Sequence, residues 1–227
     1  EYRNPLNNLF FNTLYNFNLN KTNLLINQTI LSSGQSEFFA LQYDNQSKMN
    51  MAGVEIGKYF PKAKSNISLG FNVNLNNSNQ SFNQAITAYE TLGQNFTFKF
   101  NNAYFKWMSM DVSISAGNSK RTSPQSETKS QNYSHNINAF FYPFESHTLG
   151  VYWDYLASGI SGKNYKNSFI DLSYQYTWVK KKIDFEFKWL NISNRKVYEI
   201  VNVDITRGYT QTQRYNIRPS QFMFTVK

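Results

Sequence analysis

With 227 residues, 23 Lys+Arg and 14 Asp+Glu, the chain carries a formal net charge of +9 and has room for one large domain. It has no cysteine and two histidines, which excludes a disulfide framework and thiolate chemistry and leaves little for a histidine-based metal site. No segment approaches the roughly 18–20 apolar residues of a membrane helix. Yet aromatics make up 18% of the chain, largely in alternating runs, as in a wall with one face in water and one in lipid.

Taken in order, the chain reads as apolar alternation broken by polar connections. Asn8–Leu19 sets Phe11, Tyr15 and Phe17 against Asn12, Asn16 and Asn18. A turn is expected at Asn20–Thr22, then a less regular strand over Asn23–Leu31. Ser32–Gln46 reads as a long polar connection, with Phe38–Tyr43 a candidate strand extension. Met49–Phe60 alternates through Ala52, Val54 and Ile56 and turns at Pro61–Lys64. Ile67, Leu69, Phe71, Val73 and Leu75 follow, opposite Ser68, Gly70, Asn72 and Asn74. An Asn/Ser/Gln loop is expected from Asn77 to Thr91, and then Phe96, Phe98 and Phe100 alternate.

After a short turn near Asn102–Phe105 come Met108, Met110, Val112 and Ile114, set against Ser109, Asp111 and Ser113. Gly117–Ser130 is charged and Ser-rich and reads as a loop. Ile137, Ala139 and Phe141 lead to a turn at Pro143–Ser146, and Leu149, Val151, Trp153 and Tyr155 lead to a loop at Ser158–Asn164. Ser168–Ile192 carries the strongest pattern. Ile170, Leu172, Tyr174, Tyr176 and Trp178 form one apolar set; after the basic turn Val179–Lys182 the parity flips to Ile183, Phe185, Phe187 and Trp189, with Asp184, Glu186 and Lys188 opposite. A last pair lies around Gly208, expected to supply the left-handed residue of its turn, and Phe222, Phe224 and Val226 close the chain, with Pro219 at the less paired end of the last strand.

The turns near residues 20, 62, 103, 144 and 180 read as tight, and those near 38, 84, 123 and 161 as longer and polar. Short turns at one end and long loops at the other are the asymmetry of outer-membrane barrels. Tyr59, Phe60, Tyr104, Phe105, Phe141, Tyr142, Phe144 and Trp178 sit near the tight turns, where an aromatic girdle belongs. The fold class expected is therefore all-β: an antiparallel up-and-down transmembrane β-barrel wall of about eleven strands. Its lipid-facing set would be Ile67, Leu69, Phe71, Val73, Phe96, Phe98, Phe100, Met108, Met110, Val112, Ile114, Leu149, Val151, Trp153, Ile170, Leu172, Tyr174, Tyr176, Ile183, Phe185, Phe187, Trp189, Phe222 and Phe224. An odd strand count would close an up-and-down ring only through a parallel seam, which the even counts of bacterial single-chain barrels avoid, so residues 1–227 are expected to be one incomplete barrel domain.

Chemistry is sparse. Asp154, Asp171, Asp184 and Glu186 fall on polar faces, where a carboxylate pair is conceivable, but charges lining a hydrated lumen account for them. Ser146 and His147 sit together at a turn with no acid or oxyanion loop beside them. No catalytic, cofactor or metal residue is expected. The basic balance with many aromatics is compatible with nucleic acid in principle, but here the aromatics alternate away from the polar residues. Lys62, Lys64 and Lys180–Lys182 at turns, and Lys120, Arg121, Arg207 and Arg214 toward the long loops, suit membrane surfaces and lipopolysaccharide instead.

FEFKWLNISNRKVYEI and ITRGYTQTQRYNIRPSQFMFTVK resemble the closing strands of TonB-dependent-receptor-like outer-membrane proteins of Bacteroidota, through Leu190–Lys196 with Tyr198 and through Arg218–Pro219 with Phe222, Phe224 and Val226. YRNPLNNLFFNTLYNF looks like an internal strand of that family. The resemblance implies the C-terminal part of a barrel of about 22 strands in the bacterial outer membrane, a non-catalytic transport conduit or scaffold without cofactor. Its partners would be lipid, lipopolysaccharide and the rest of the barrel. The alternatives are a non-transporting barrel subunit that binds other outer-membrane or lipoprotein subunits, and a soluble β-sandwich adhesin.

Overall fold

Period-two alternation becomes strand along nearly the whole chain. The computed structural model describes residues 2–4, 7–160, 163–204 and 209–227. Its strands are β1 (Tyr2–Asn4), β2 (Leu9–Ile30), β3 (Ser36–Phe60), β4 (Ser65–Phe82), β5 (Ala85–Asn102), β6 (Met108–Thr122), β7 (Glu127–Phe141), β8 (His147–Ile160), β9 (Lys163–Trp178), β10 (Ile183–Leu190), β11 (Val197–Asp204), β12 (Tyr209–Asn216) and β13 (Gln221–Val226). One antiparallel sheet runs in sequence order from β1 to β10 and ends on β13, which pairs with β10; β11 and β12 form a separate hairpin. The fold is thus all-β and up-and-down. Among the described residues, nothing pairs with the outer edge of β13, and β1 covers β2 only at Leu9, Phe10 and Phe11.

The ladder is staggered. One line of cross-strand partners runs through Ala52, Val73, Gln94, Asn118, Gln131, Gly159 and Asn164. Below it, β3 ends at Phe60, β5 at Asn102, β7 at Phe141 and β9 at Trp178. The strands therefore slip by about six residues over six neighbours, and with a rise of about 3.3 Å and a spacing of about 4.8 Å this is a tilt of about 35°. Tilt of that size is what a closing sheet requires.

At one end of the sheet the connections are short, and three of them are built on left-handed residues. Lys64 (φ 41) ends the 3-10 turn Pro61–Ala63, and Ser146 (φ 65) and Lys182 (φ 54) close the next two turns of this kind. The other end corrects the sequence reading. Strand β2 is continuous, so no turn forms at Asn20–Thr22; a bulge between Thr22 and Leu24 takes its place. The expected loops at 32–46, 77–91, 117–130 and 158–164 are mostly ladder, because β3 starts at Ser36, β4 and β5 meet at Asn83 and Gln84 (φ 48 and 64), and Lys120 pairs with Lys129. A two-residue turn with both φ positive matches the twist of a hairpin. Gly208 and Arg207 lie outside the described residues. Pro219 precedes β13 and stays out of the ladder, as a residue without an N–H must.

The β2–β3 ribbon twists beyond the sheet until β2 meets the top of β4 in parallel, Asn27 opposite Ser81 and Gln28 opposite Phe82. Asn27 is fully buried there: its Oδ1 accepts from the Ser81 hydroxyl (2.7 Å) and the Gln84 N–H (2.8 Å), and its Nδ2 donates to Thr29 Oγ1 (2.9 Å). Asn27→Leu would leave the buried Ser81 hydroxyl without its acceptor at about 1–3 kcal/mol. The expected result is faster hydrogen exchange at the Asn83 and Gln84 amides with the lower sheet unchanged; wild-type exchange at both would contradict the lock.

Candidate membrane-facing surface

Directly opposed residues of antiparallel strands project from the same face, so the registers decide which side chains share a surface. Ile67 opposes Phe100 and Leu69 opposes Phe98; Phe71 opposes Phe96. Phe100 opposes Val112, and Phe98 opposes Ile114. Met110 and Met108 oppose Ala139 and Phe141, which oppose Val151 and Leu149. Trp153 faces Ile170, Val151 Leu172 and Leu149 Tyr174. Tyr176, Tyr174 and Leu172 face Phe185, Phe187 and Trp189, and the last two face Phe224 and Phe222. Ile183 faces Trp178, and Val73 completes the β4 row. All the residues assigned from the sequence to one face do lie on one face. The same ladder adds Ile56, Val54 and Ala52 of β3 and Phe11, Tyr15 and Phe17 of β2.

This apolar face has no cover. The sheet is a single layer, and among the described residues the only buried hydrophobic side chain is Leu25, in the ribbon. Phe71, Phe96 and Phe187 are 42%, 43% and 43% exposed. A water-soluble domain buries such a face against a second layer, and an exposed apolar surface this continuous marks an interface. Along β4 the apolar side chains span Ile67 to Leu75, about 26 Å of strand and about 22 Å once tilted, close to the height of an apolar barrel belt.

Both rims change character. At the tight-turn end Tyr104 meets Phe105 edge-on at 5.1 Å, Phe105 lies 5.4 Å from Trp107, and Trp107 stacks with Phe141 at 6.3 Å. Tyr59, Phe60, Tyr142, Phe144 and Trp178 are exposed at the same end. Trp107 also belongs to this aromatic rim; the sequence reading left it out although it shares the turn of Tyr104 and Phe105, which was the signal available. At the hairpin end the face turns polar at Gln94, Asn118 and Gln131, followed by Lys120 and Lys129. Glu127 bridges these lysines at 2.9 and 3.0 Å, and its hydrogen bonds to Lys120 and then Lys129 hold its carboxyl below the usual range. Arg121 packs over Tyr89 at 4.1 Å and donates to Gln80, while Arg214 pairs with Glu199 at 3.0 Å.

The opposite face is mostly polar and closely fitted. Gly53, Gly93 and Gly117 stand across from Asn72, Asn74 and Asn132, whose amides lie over the space a Cβ would fill. Glycine inside these strands thus marks close side-chain approach, a signal not used in the sequence reading. The carboxylates are engaged one by one: Asp111 with Asn101 (2.6 Å), Asp154 with Asn136, Asp171 with the Asn191 N–H (2.6 Å), and Glu186 with Lys188 (3.0 Å) and Lys227 (3.3 Å). Asp184 faces Thr177 on the same side. On the apolar face instead, His147, which opposes Tyr176, contacts the Tyr174 hydroxyl through Nδ1 at 2.6 Å. Among the described residues no group of three or more His, Asp or Glu is placed to hold a metal ion.

The β11–β12 hairpin leans on this polar face. Asn167 of β9 exchanges hydrogen bonds with the backbone of Glu199 (3.1 and 3.4 Å), and Phe169 meets Tyr198 at 6.1 Å. Its base is tied by Asn191 (φ 52), whose Nδ2 donates to the carbonyls of Arg195 (2.7 Å) and Arg218 (3.0 Å) and whose Oδ1 accepts from the Arg195 N–H (3.0 Å). No protein family, curated protein or solved structure was found to match the chain.

Proposed function

We propose that the sheet is part of the membrane-spanning wall of a bacterial outer-membrane β-barrel of the TonB-dependent-receptor-like kind, serving as a non-catalytic conduit or scaffold. The observation that carries this reading is the uncovered apolar face, continuous from β2 to β13, backed by a mostly polar face. A belt of about 22 Å with an aromatic rim at the tight-turn end fits a bilayer. In lipid each unpaired backbone group of an edge costs several kcal/mol, so the outer edges of β2 and β13 need further strands beside them, from this chain or another. A β-sandwich would need a second sheet on the apolar face, and β11–β12 lies against the other one.

A role in binding other subunits has its own support. Leu24, Ile26 and Phe38 are 50%, 60% and 59% exposed on the ribbon, beyond a polar stretch that includes Lys21, Asp44 and Lys48 and above the height of the belt.

The absence of cysteine makes site-directed labelling clean. Single cysteines at 68 to 73, nitroxide-labelled in the chain reconstituted into vesicles, should alternate: oxygen relaxes the label best at 69, 71 and 73, and a water-soluble nickel chelate at 68, 70 and 72. Absence of alternation, or the opposite parity, would sink the reading.

A further inference from the structure

The apolar face is not uniformly filled. Where its neighbours carry Phe71, Phe96 and Tyr133, strands β6 and β8 carry Ala116, Ala157 and Gly159. The missing side chains leave a groove of about 470 Å³ across the strands, within the size range of small-molecule sites. Its two long walls differ. One is the apolar line from Phe71 and Phe96 through Ala116 and Tyr133 to Ala157, and it ends at Lys166. The other is the next line of the ladder, made of the amides Gln94, Asn118, Gln131 and Asn164. The groove therefore lies along the boundary where the belt gives way to the polar hairpin end.

Charge fixes what suits it. Lys166 is exposed at one end of the groove, and Lys120 and Lys129 occupy the next outward positions beyond Asn118 and Gln131. Glu127 offsets one of those two lysines, which leaves a net positive rim above an apolar floor. An amphiphile with an anionic head answers both halves: acyl carbons along Phe71, Phe96 and Tyr133, and head oxygens accepting from the amides and Lys166. A neutral apolar ligand would leave the amide wall unused, and a free anion would leave the apolar floor wet.

We propose that this groove holds one lipid molecule with an anionic phosphate headgroup, from the leaflet on the hairpin side. The inference rests on the membrane-wall reading and adds a specific, single-lipid site to it. The test is native mass spectrometry of the full chain released from mixed phosphatidylglycerol–phosphatidylcholine vesicles, with insertion into those vesicles scored in parallel. Wild type should retain one phosphatidylglycerol with a preference of about tenfold over phosphatidylcholine, the worth of one charge-assisted contact. Ala157→Trp, which fills the floor, should insert and retain none. Lys166→Gln should keep the lipid but lower the headgroup preference to about threefold or less. Equal retention by wild type and Ala157→Trp, or no headgroup preference in wild type or no change with Lys166→Gln, overturns the site while insertion leaves the wall reading intact. A wild-type chain that does not associate with the vesicles at all overturns both.

Discussion

Ile137→Arg should cost about 2–4 kcal/mol of folded stability in a bilayer, and Asn136→Arg, one residue away, less than about 1 kcal/mol. Ile137 lies between Val112 and Trp153, in the middle of the apolar face and of the sheet. An arginine there must either enter hydrocarbon or drag water and headgroups with it. Asn136 projects from the other face between Ser113 and Asp154, and already donates to the Asp154 carboxylate. An arginine at 136 would meet that carboxylate, which pays back most of the change. The measurement is urea unfolding of both variants in vesicles, followed by tryptophan fluorescence. Equal losses would mean that the two faces see the same solvent, and the wall assignment would fall. Glu186 is a poorer control than Asn136, because its two lysine partners would repel an arginine.

Asn191→Ala should cost about 2–4 kcal/mol locally and release the β11–β12 hairpin. Two separate effects add. The residue sits at φ 52, where asparagine is tolerated and alanine is strained. Its amide also makes three hydrogen bonds to the backbones of Arg195 and Arg218, from a position only 8% exposed. Asn191→Gly separates them, because glycine relieves the backbone but not the lost bonds, and it should recover about 1 kcal/mol of the alanine loss. Limited proteolysis reads the outcome. Both variants should be cut between 195 and 218 faster than wild type, with alanine the faster, while the β4–β9 strands stay resistant. Wild-type resistance in both would remove Asn191 as the tie.

Strand type and facing were determined by the sequence itself wherever the two faces of a strand differ. Phe96, Phe98 and Phe100 against Thr97 and Lys99 admit one assignment, because a side-chain period of two ties parity to face and a one-residue slip inverts it. The parity flip between Trp178 and Ile183 likewise carries the apolar face around a turn, and Trp178 does oppose Ile183. That signal needs contrast. In 117–130 both faces are polar, and in 77–91 Phe82 and Tyr89 fall on one face and Ile86 on the other, so alternation vanishes from the sequence although the backbone still pairs across a tight turn. Reading such stretches as loops confuses the solvent around a strand with its absence.

Tertiary structure alone decided the remainder. The slip of about six residues across β3 to β9 is a sum of registers between strands, and no single strand encodes it. The union of β10 with β13, with β11–β12 set aside, depends on Asn191 reaching Arg195 and Arg218 at once. The groove joins Ala116 of β6 to Ala157 and Gly159 of β8, strands that are not neighbours in the ladder. Each residue is unremarkable in its own strand, and only the ladder brings them to one groove.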